Sequence, residues 1–405
     1  MSDIVVTGIG VISSLGLGKE AFWESCGKAR SGIKKITSFD TSSLRSNIAG
    51  CIDDFDPSRF MPPAAFRRMS RISRMAVAAS VEALEDSGLS LDETDKERVA
   101  VVMGTSYGST SSVEGFYASL LENGPRGAQP FLFPETVPNA PASHVAMFHG
   151  ITGPNSTFCQ NEISAETAIL YARNLLLQNH VDVALVGGAD ELSSMEYFCY
   201  DALGALSNIK VQDGEVAAPR LGRGRVLGEG AGMLVMERRD FFRHRNAGIY
   251  GRLISCVSVG GSSALGHYEA DGVHMARATV RAIKEAGLGQ DHIDQVHVSA
   301  NFSGELDRME YYQLAGIFGK NMQGLKVTPL KYLMGDFGGA GALRAAAILL
   351  SLRRGSPVPA VNVALLKERP GGALEWEFDR AGSRNALMTT STFGGGSAAL
   401  VFTNA

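Results

Sequence analysis

MAVAASVEALEDSGL (residues 75–89) is echoed in the second half of the chain by MARATVRAIKEAGL (275–288). Both segments have apolar residues at the spacing of an amphipathic helix, and both end near a glycine typical of a helix C-cap. After a short polar stretch, each helix is followed by a run typical of a buried strand: RVAVVMGTS after the first and QVHVSANFS after the second. This repetition indicates that the chain contains a duplicated α/β unit.

A second pair of segments repeats in the same order. SAETAILYARNLLLQNH (164–180) predicts a long apolar helix leading into the buried strand VDVALVGGA, and GGAGALRAAAILLSL (338–352) predicts the counterpart of that helix. The alternation of buried strands and helices predicts mostly parallel sheets covered on both faces. We therefore expect an α/β fold, a layered sandwich built from two duplicated halves, residues 1–248 and 249–405.

Length, charge and hydropathy exclude several classes of protein. The chain has 405 residues, 45% of them hydrophobic, which is enough for a large core in two packed halves. A net charge of -4 is too balanced for a protein that binds nucleic acid or anionic lipid. No apolar run reaches the roughly 18 residues that span a bilayer, and the N-terminus lacks the pattern of a signal peptide. We expect a cytoplasmic protein without nucleic-acid partners or membrane insertion.

Several features that resemble ligand sites are better explained as structure. The five cysteines include no CxxC pair and the eight histidines form no metal-binding motif, so neither a disulfide framework nor a metal site is predicted. GRGRVLGEGAG (222–232) runs into a strand-like segment instead of a helix, so we interpret it as a tight turn rather than a nucleotide-binding loop. The Pro-rich segment 130–149 is predicted to be an irregular insertion. No cofactor is expected.

Long motifs in the same order along the whole chain carry a family resemblance. They are VVTGIGVISSLG, TVPNAPASHVAMFHGITGPN, VALVGGADELSS, APRLGRGRVLGEGAGMLVMER and TFGGGSAALVF. With these motifs the chain resembles the β-ketoacyl-ACP synthases, or ketosynthases, of the thiolase fold. The resemblance implies a thiolase-like five-layered αβαβα sandwich.

The resemblance also implies a catalytic cysteine after Gly-Pro-Asn, at the start of a buried helix whose N–H groups favour a thiolate and an oxyanion. In this chain the cysteine position falls on Glu162, within STFCQNEISAETAI. Cys159 precedes it on the expected entering strand and is predicted to be a core or near-core thiol. We expect Glu162 to accept N–H bonds at the start of the following helix, as a capping carboxylate does.

Both catalytic histidine positions of the family differ as well. The H-G-T-x-T motif corresponds to Ser-Ala-Asn-Phe-Ser, which puts Ser299 in place of the first histidine. The second histidine, in K-x-M-T-G-H, falls on Asp336, or on Gly335 if the register slips by one, while Lys331 matches the motif's lysine. A Claisen condensation needs an acyl-accepting thiolate and two neutral imidazoles. Because Glu, Ser and Asp cannot supply that set, no catalytic residue is predicted.

Within the family, the chain-length factor of type II polyketide synthases lacks the cysteine and heterodimerises with an active ketosynthase. The resemblance therefore implies a non-catalytic chain-length factor that shapes the elongation tunnel in polyketide or aryl polyene biosynthesis. Its implied partners are a catalytic ketosynthase and an acyl carrier protein that carries the growing chain. In thiolase-fold dimers the strand before the nucleophile, here about 155–160, pairs across the two-fold axis, which would cover its edge.

The candidate segment for closing the tunnel is YGSTSSVEGFYASLL. If it is helical, Ser112, Phe116 and Leu120 lie on one face, and Val113 and Tyr117 lie on the adjacent face. Bulky Phe116 or Tyr117 side chains would close the tunnel, and smaller ones would lengthen it. Ordinary core packing is the alternative role for these side chains.

Two alternatives to the chain-length factor remain open. In the first, Glu162 is a general base for acyl hydrolysis, decarboxylation or acyl transfer. In the second, the chain is a purely structural stabiliser of a ketosynthase and never touches the growing chain. Phe393, in TFGG, aligns with the family's gatekeeping phenylalanine, although here it has no nucleophile to guard.

Overall fold

The structure is a computed structural model that describes residues 3–212, 214, 224–242, 245, 247–264, 266–362, 366, 376–378 and 382–405. The strands in these ranges are β1 (Ile4–Ser13), β2 (Gly16–Leu17), β3 (Ile33–Lys35), β4 (Ile48–Gly50), β5 (Val99–Gly104), β6 (Asn155–Phe158), β7 (Val183–Asp190), β8 (Gly230–Arg238), β9 (Gly251–Val259), β10 (Gln295–His297), β11 (Lys326–Thr328), β12 (Ala360–Val361), β13 (Trp376–Glu377), β14 (Asn385–Ser391) and β15 (Ser397–Thr403). The helices are α1 (Lys19–Gly27), α2 (Pro63–Phe66), α3 (Arg71–Ser87), α4 (Thr110–Asn123), α5 (Ala140–His149), α6 (Ser164–Leu177), α7 (Ser194–Ala202), α8 (Arg239–Phe242), α9 (Val273–Glu285), α10 (Gly304–Phe318), α11 (Lys331–Met334) and α12 (Ala340–Arg354).

The strands of the two halves follow the same order. One set runs β6-β5-β7-β8-β1 from its edge inward, and the other runs β11-β10-β14-β15-β9. In each set the first three strands are parallel and the last two are antiparallel to their neighbours. Strands β1 and β9 pair with each other and join the two sets into one continuous sheet. The strand order thus repeats in the two halves, as the repeated helical segments predict. The expectation of mostly parallel sheets was wrong, because the last two strands of each set are antiparallel to their neighbours.

The helices divide the molecule into five layers. Helices α3 and α5 pack on the outer face of the first set of strands, and α9 packs on the outer face of the second, with α10 beside it. Helices α6 and α12 lie between the two sets and contact both. Every residue of α12 from Ala340 to Leu352 is buried, as expected for a helix that has one set of strands on each side. The architecture is the five-layered αβαβα sandwich expected from the sequence. The boundary between residues 248 and 249 falls just before β9 and stays a prediction.

The Pro-rich segment is more regular than its composition suggests. Residues 140–149 form α5, and Pro141 lies in the first turn of this helix, where a proline's missing N–H costs no hydrogen bond. The prediction of an irregular insertion was therefore wrong for this part of 130–149. Strand β6 follows α5 and forms the edge of the sheet. No helix within the described ranges is long and apolar enough to cross a membrane.

Two glycines of β1 allow α3 to lie directly against the sheet. A Cβ atom at Gly10 would lie 1.8 Å from the carbonyl oxygen of Ala79, and one at Gly8 would lie 2.1 Å from that of Ala83. Such approaches are too close for any side chain, so strand and helix are in backbone contact. This packing fixes α3 on the outer face of the first set of strands.

We expect Gly10→Ala to lower the free energy of unfolding by about 3 kcal/mol, because β1 or α3 must shift to admit the methyl group. The control is Gly316→Ala in the exposed part of α10, where a Cβ meets nothing within 4 Å. That substitution is expected to raise the free energy of unfolding by about 0.5–1 kcal/mol. Chemical denaturation of both variants measures the difference, and equal effects would contradict the close packing.

Candidate functional site

Glu162 lies where the chain turns from β6 into α6. It belongs to a single 3-10 turn, Asn161–Ile163, and only 1% of its surface is exposed. Asn161 has a φ of 48°, in the left-handed region that asparagine tolerates better than most residues. The turn directs the Glu162 side chain into the interior, toward the C-terminal half of the chain.

Four groups bind the Glu162 carboxylate. The Arg225 guanidinium forms an ion pair with Oε1, and the Thr392 hydroxyl donates a hydrogen bond to Oε2. The Tyr268 hydroxyl donates to Oε1 at 3.2 Å, and the backbone N–H of Phe393 donates to Oε2 at 3.4 Å. No side-chain cap is present at the start of α6, so the predicted capping role of Glu162 was wrong. A buried guanidinium is a stronger partner for a carboxylate than a helix N–H group is.

Arg225 is the centre of the site. Its Nη2 atom contacts Glu162, and its Nε atom donates to Oδ2 of Asp336 at 2.9 Å. The guanidinium lies over the rings of Tyr200 and Phe393, with its Cζ atom 4.8 Å and 4.9 Å from the two ring centroids. Burial by itself lowers the pKa of Arg225, but the carboxylates of Asp336 and Glu162 outweigh it and raise the pKa well above its usual value. Arg225 is therefore a permanent buried cation.

Asp336 connects Arg225 to a second cation. The Lys331 Nζ atom lies 2.7 Å from Oδ1 of Asp336 and donates to the Ser299 hydroxyl at 3.2 Å. The Asn301 side-chain amide donates to Oδ2 of Asp336 at 2.6 Å. Burial favours a raised pKa at Asp336, but Arg225 and then Lys331 hold that pKa below its usual range. The Asp336 side chain is part of this network, while Gly335 forms the turn before it with a φ of 82°. The correspondence of Asp336 with the family's second histidine stays a prediction.

The structure thus brings the altered positions together in one buried network. Glu162, Arg225, Asp336, Lys331 and Ser299 form a continuous series of ion pairs and hydrogen bonds. Two carboxylates face two cations, so the charges balance where water is excluded. Within this network there is no thiol and no imidazole to take up an acyl group or to stabilise an enolate.

Arg225 is the site residue that sequence reasoning missed. It belongs to the glycine-rich run 222–232, which we interpreted as a tight turn. A signal was present, because two carboxylates at buried positions need two cations, and Lys331 supplies only one. Arg225 was the available candidate for the second cation, because it lies in a segment that matches the family's motifs.

Two further carboxylates hold the loop that carries Ser299 and Asn301. Glu310 accepts the N–H of Ser299 at 2.8 Å, and Asp307 accepts the N–H of Asn301 at 3.1 Å. The Tyr332 hydroxyl donates to the other oxygen of Asp307 at 2.6 Å. Burial raises the pKa of Glu310 to about 7. These contacts orient the loop and leave its side chains directed at Lys331 and Asp336.

Cys159 is exposed, directly after the end of β6, so the prediction of a core or near-core thiol was wrong. The reason is that β6 is the edge strand, and no further strand within the described ranges covers its end. Partial burial and the nearby Asp190 carboxylate raise the pKa of the Cys159 thiol. At neutral pH it is therefore a thiol rather than a reactive thiolate.

The segment proposed to close a tunnel is helical, as α4. Val113 lines a pocket of about 480 Å³ together with Phe393, whereas Ser112 is buried and accepts a hydrogen bond from the Ser109 hydroxyl. Phe116 packs against Phe133 with ring centroids 5.6 Å apart.

The two remaining tunnel candidates lie toward the surface. Tyr117 is 54% exposed and packs edge-on against Phe116, and Leu120 is half-buried. A role for these side chains in setting chain length stays a prediction.

The pocket beside α4 ends at a wall in front of Glu162. Asn161, Tyr200 and Phe393 line its inner end, and the Arg225 guanidinium stacks against the two aromatic rings. The Tyr107 and Tyr200 hydroxyls lie 3.2 Å apart and extend the wall. Because Glu162 is behind this wall, a molecule in the pocket does not reach its carboxylate.

We expect Arg225→Met to lower the free energy of unfolding by about 3–5 kcal/mol, because it leaves a buried carboxylate at Glu162 without its cation. Adding Glu162→Gln removes that charge, so the double variant is expected to be more stable than the sum of the single changes by roughly 1–3 kcal/mol. Chemical denaturation of the four proteins in this cycle gives the coupling energy.

The matched control for this cycle is the exposed pair of Arg354 and Glu20, 2.6 Å apart. The corresponding cycle, Arg354→Met with Glu20→Gln, is expected to give a coupling below about 1 kcal/mol. Additive effects at Arg225 and Glu162 would contradict the ion pair.

Comparison with known proteins agrees with this fold and with these motifs. The chain matches the beta-ketoacyl synthase N-terminal domain over residues 1–241 and the beta-ketoacyl synthase C-terminal domain over residues 250–364. A 3-oxoacyl-[acyl-carrier-protein] synthase 2 of Coxiella burnetii is 28% identical over 380 residues, covering 93% of this chain and 91% of the relative. A putative polyketide beta-ketoacyl synthase 1 of Streptomyces halstedii is 31% identical over 418 residues, covering 99% and 97%.

A solved structure described as the ishigamide ketosynthase/chain length factor has a TM-score of 0.88 and 25% sequence identity to this chain. The alignment covers 100% of this chain and 99% of that one. With both domains matched and with the duplicated five-layered sandwich in place, the chain belongs to the β-ketoacyl synthase family and has the thiolase-like fold.

Proposed function

We propose that this protein is a non-catalytic chain-length factor. It pairs with an active β-ketoacyl-ACP synthase and shapes the elongation tunnel in type II polyketide or aryl polyene biosynthesis, while an acyl carrier protein delivers the growing chain. The observation that carries the proposal is the carboxylate of Glu162 at the nucleophile position, sealed from solvent by its ion pair with Arg225.

The chemistry of the site argues against catalysis by this chain itself. A carboxylate that is bound on both oxygens and ion-paired to a guanidinium is a poor nucleophile, and the anhydride it would form with an acyl group is unstable. Ser299 and Asp336 stand where the family has its two histidines, and an aspartate carboxylate there would repel an enolate. The wall formed by Tyr200 and Phe393 also removes Glu162 from a general-base role.

The surface next to β6 supports pairing with another subunit. Among the residues that the structure describes, no strand pairs with the outer edge of β6, and the Phe158 side chain on this strand packs against Tyr171 of α6. Met147 of α5 and Tyr171 of α6, the two helices that contact β6, are more than a third exposed. Further large apolar side chains between β5 and β8 are exposed to the same degree: Tyr107, Tyr117, Leu121, Phe131, Phe133, Val137, Phe198 and Leu203. An apolar surface beside a free strand edge is typical of a face that is buried by a partner.

The composition of the site supports a catalytic ketosynthase as that partner. A homodimer would contain two sealed positions and no nucleophile, whereas a heterodimer with a catalytic ketosynthase would contain one complete active site. The likeness to a structure described as a ketosynthase/chain length factor supports such a pair. A purely structural stabiliser would use the same surface, so the effect of tunnel variants on product length separates the two roles.

The first test is co-expression of the chain with a catalytic ketosynthase from the same organism, followed by native mass spectrometry and an elongation assay with acyl carrier protein. We expect a one-to-one complex that elongates only when both subunits are present. Glu162→Gln keeps the size of the side chain and one acceptor oxygen but removes the carboxylate, and its complex is expected to elongate within about twofold of the wild-type rate. A complex that forms normally but loses elongation in Glu162→Gln would make Glu162 catalytic.

The second test concerns chain length. Phe116→Ala is expected to shift the products of the complex to longer chains without loss of complex formation, because it removes a large ring from α4, the helix that lines the pocket through Val113. Tyr312→Ala on α10, a tyrosine that is 55% exposed and outside the pocket, is the control and is expected to leave product length unchanged. A lower yield at unchanged product length for Phe116→Ala would favour the structural stabiliser.

A further inference from the structure

The pocket of about 480 Å³ beside α4 is separate from the sealed nucleophile position. Its inner end is the wall formed by Asn161, Tyr200 and Phe393. Its outer end is open, because Tyr107 is 41% and Leu203 is 72% exposed. The pocket therefore admits a molecule from the apolar surface but does not let it reach Glu162.

The lining of this pocket is mostly apolar, with several hydroxyl and amide side chains and one carboxyl group. Val113, Met195, Leu203 and Phe393 contribute apolar side chains, and Glu196 of α7 contributes the carboxyl. Elsewhere in α7, Ser194 donates to Glu114, but among the described residues none donates a hydrogen bond to the side chain of Glu196.

The chemical environment favours a neutral Glu196 side chain. Burial raises its pKa to about 8, and the nearby Asp190 carboxylate acts in the same direction, while Arg225 opposes them. A neutral carboxyl has an O–H donor as well as a carbonyl acceptor. In an apolar pocket, such a group without a protein partner has a strong preference for a ligand that completes its hydrogen bonds.

We propose that this pocket binds the far end of an acyl chain without a covalent bond, and that Glu196 selects chains whose end bears a hydroxyl or carbonyl oxygen. The apolar side chains would cover the hydrocarbon part, and Glu196 would pair with the oxygen. The source of the acyl chain rests on the proposed function, but binding to the pocket is a property of this chain alone.

A native cysteine reports on occupancy of the pocket. Cys199 is exposed and lines the pocket, whereas Cys159 is exposed and lies outside its lining. The remaining cysteines, Cys26, Cys51 and Cys256, are buried. Alkylation by N-ethylmaleimide, followed by peptide mass spectrometry, therefore gives the rate at Cys199 with Cys159 as an internal reference.

The experiment uses the purified full chain and two probes, the octanoyl and ω-hydroxyoctanoyl thioesters of N-acetylcysteamine. Both are expected to slow alkylation of Cys199 without changing Cys159, and the hydroxylated probe is expected to half-protect Cys199 at a roughly two- to tenfold lower concentration. Glu196→Leu is expected to bind both probes equally. Glu196→Gln retains a donor and an acceptor and is expected to keep the preference.

Failure of either protection or preference would overturn the proposal. If neither probe protects Cys199, the pocket does not take acyl chains. If wild type and Glu196→Leu discriminate equally between the probes, Glu196 is not the selecting group. These outcomes are independent of the elongation assay, because the partner ketosynthase is absent, so a failure here is distinguishable from a failure of the chain-length factor proposal.

Discussion

The buried ion pair between Arg225 and Glu162, extended through Asp336 to Lys331, is the interaction on which the rest of the site depends. Moving a charged side chain out of water costs several kcal/mol, and the cost is recovered only when each charge has a well-placed partner. In this site, the carboxylates of Glu162 and Asp336 are bound by the Arg225 guanidinium, the Lys331 ammonium and several hydroxyl and amide donors. Arg225 also stacks against Tyr200 and Phe393. The residue that neutralises the carboxylates therefore also helps to close the site.

This constraint explains why the altered positions belong together. A glutamate alone at position 162 would be a buried unpaired anion, and an arginine alone at position 225 would be a buried unpaired cation. Asp336 supplies a second anion to Arg225 and a partner to Lys331, which in turn binds Ser299. The site is therefore a stable polar core rather than an active site with one residue missing. Reactivity of a single side chain within it is not expected.

Local patterns predicted the repeated architecture well, because the periodicity of buried helices and strands can be recognised within short segments of sequence. The repeated segments 75–89 and 275–288 form α3 and α9 on the two outer faces. The segments 164–180 and 338–352 form the inner helices α6 and α12. The antiparallel closing strands and the exposure of Cys159 depend on which strands become neighbours, and a single sequence does not specify that. Motif order located Glu162, Ser299, Asp336 and Lys331. The sequence indicated the need for a second cation, but the fold was required to identify it as Arg225, because its run is distant from the other positions along the chain.

The most direct measurement of the central claim is intact-protein mass spectrometry of the one-to-one complex after incubation with acyl-loaded carrier protein. If the ion pair closes the nucleophile position, the acyl mass appears on the partner ketosynthase alone and this chain keeps its unmodified mass. An acyl adduct on this chain that maps to Glu162 would contradict the account, because it would require the carboxylate to leave Arg225 and act as a nucleophile.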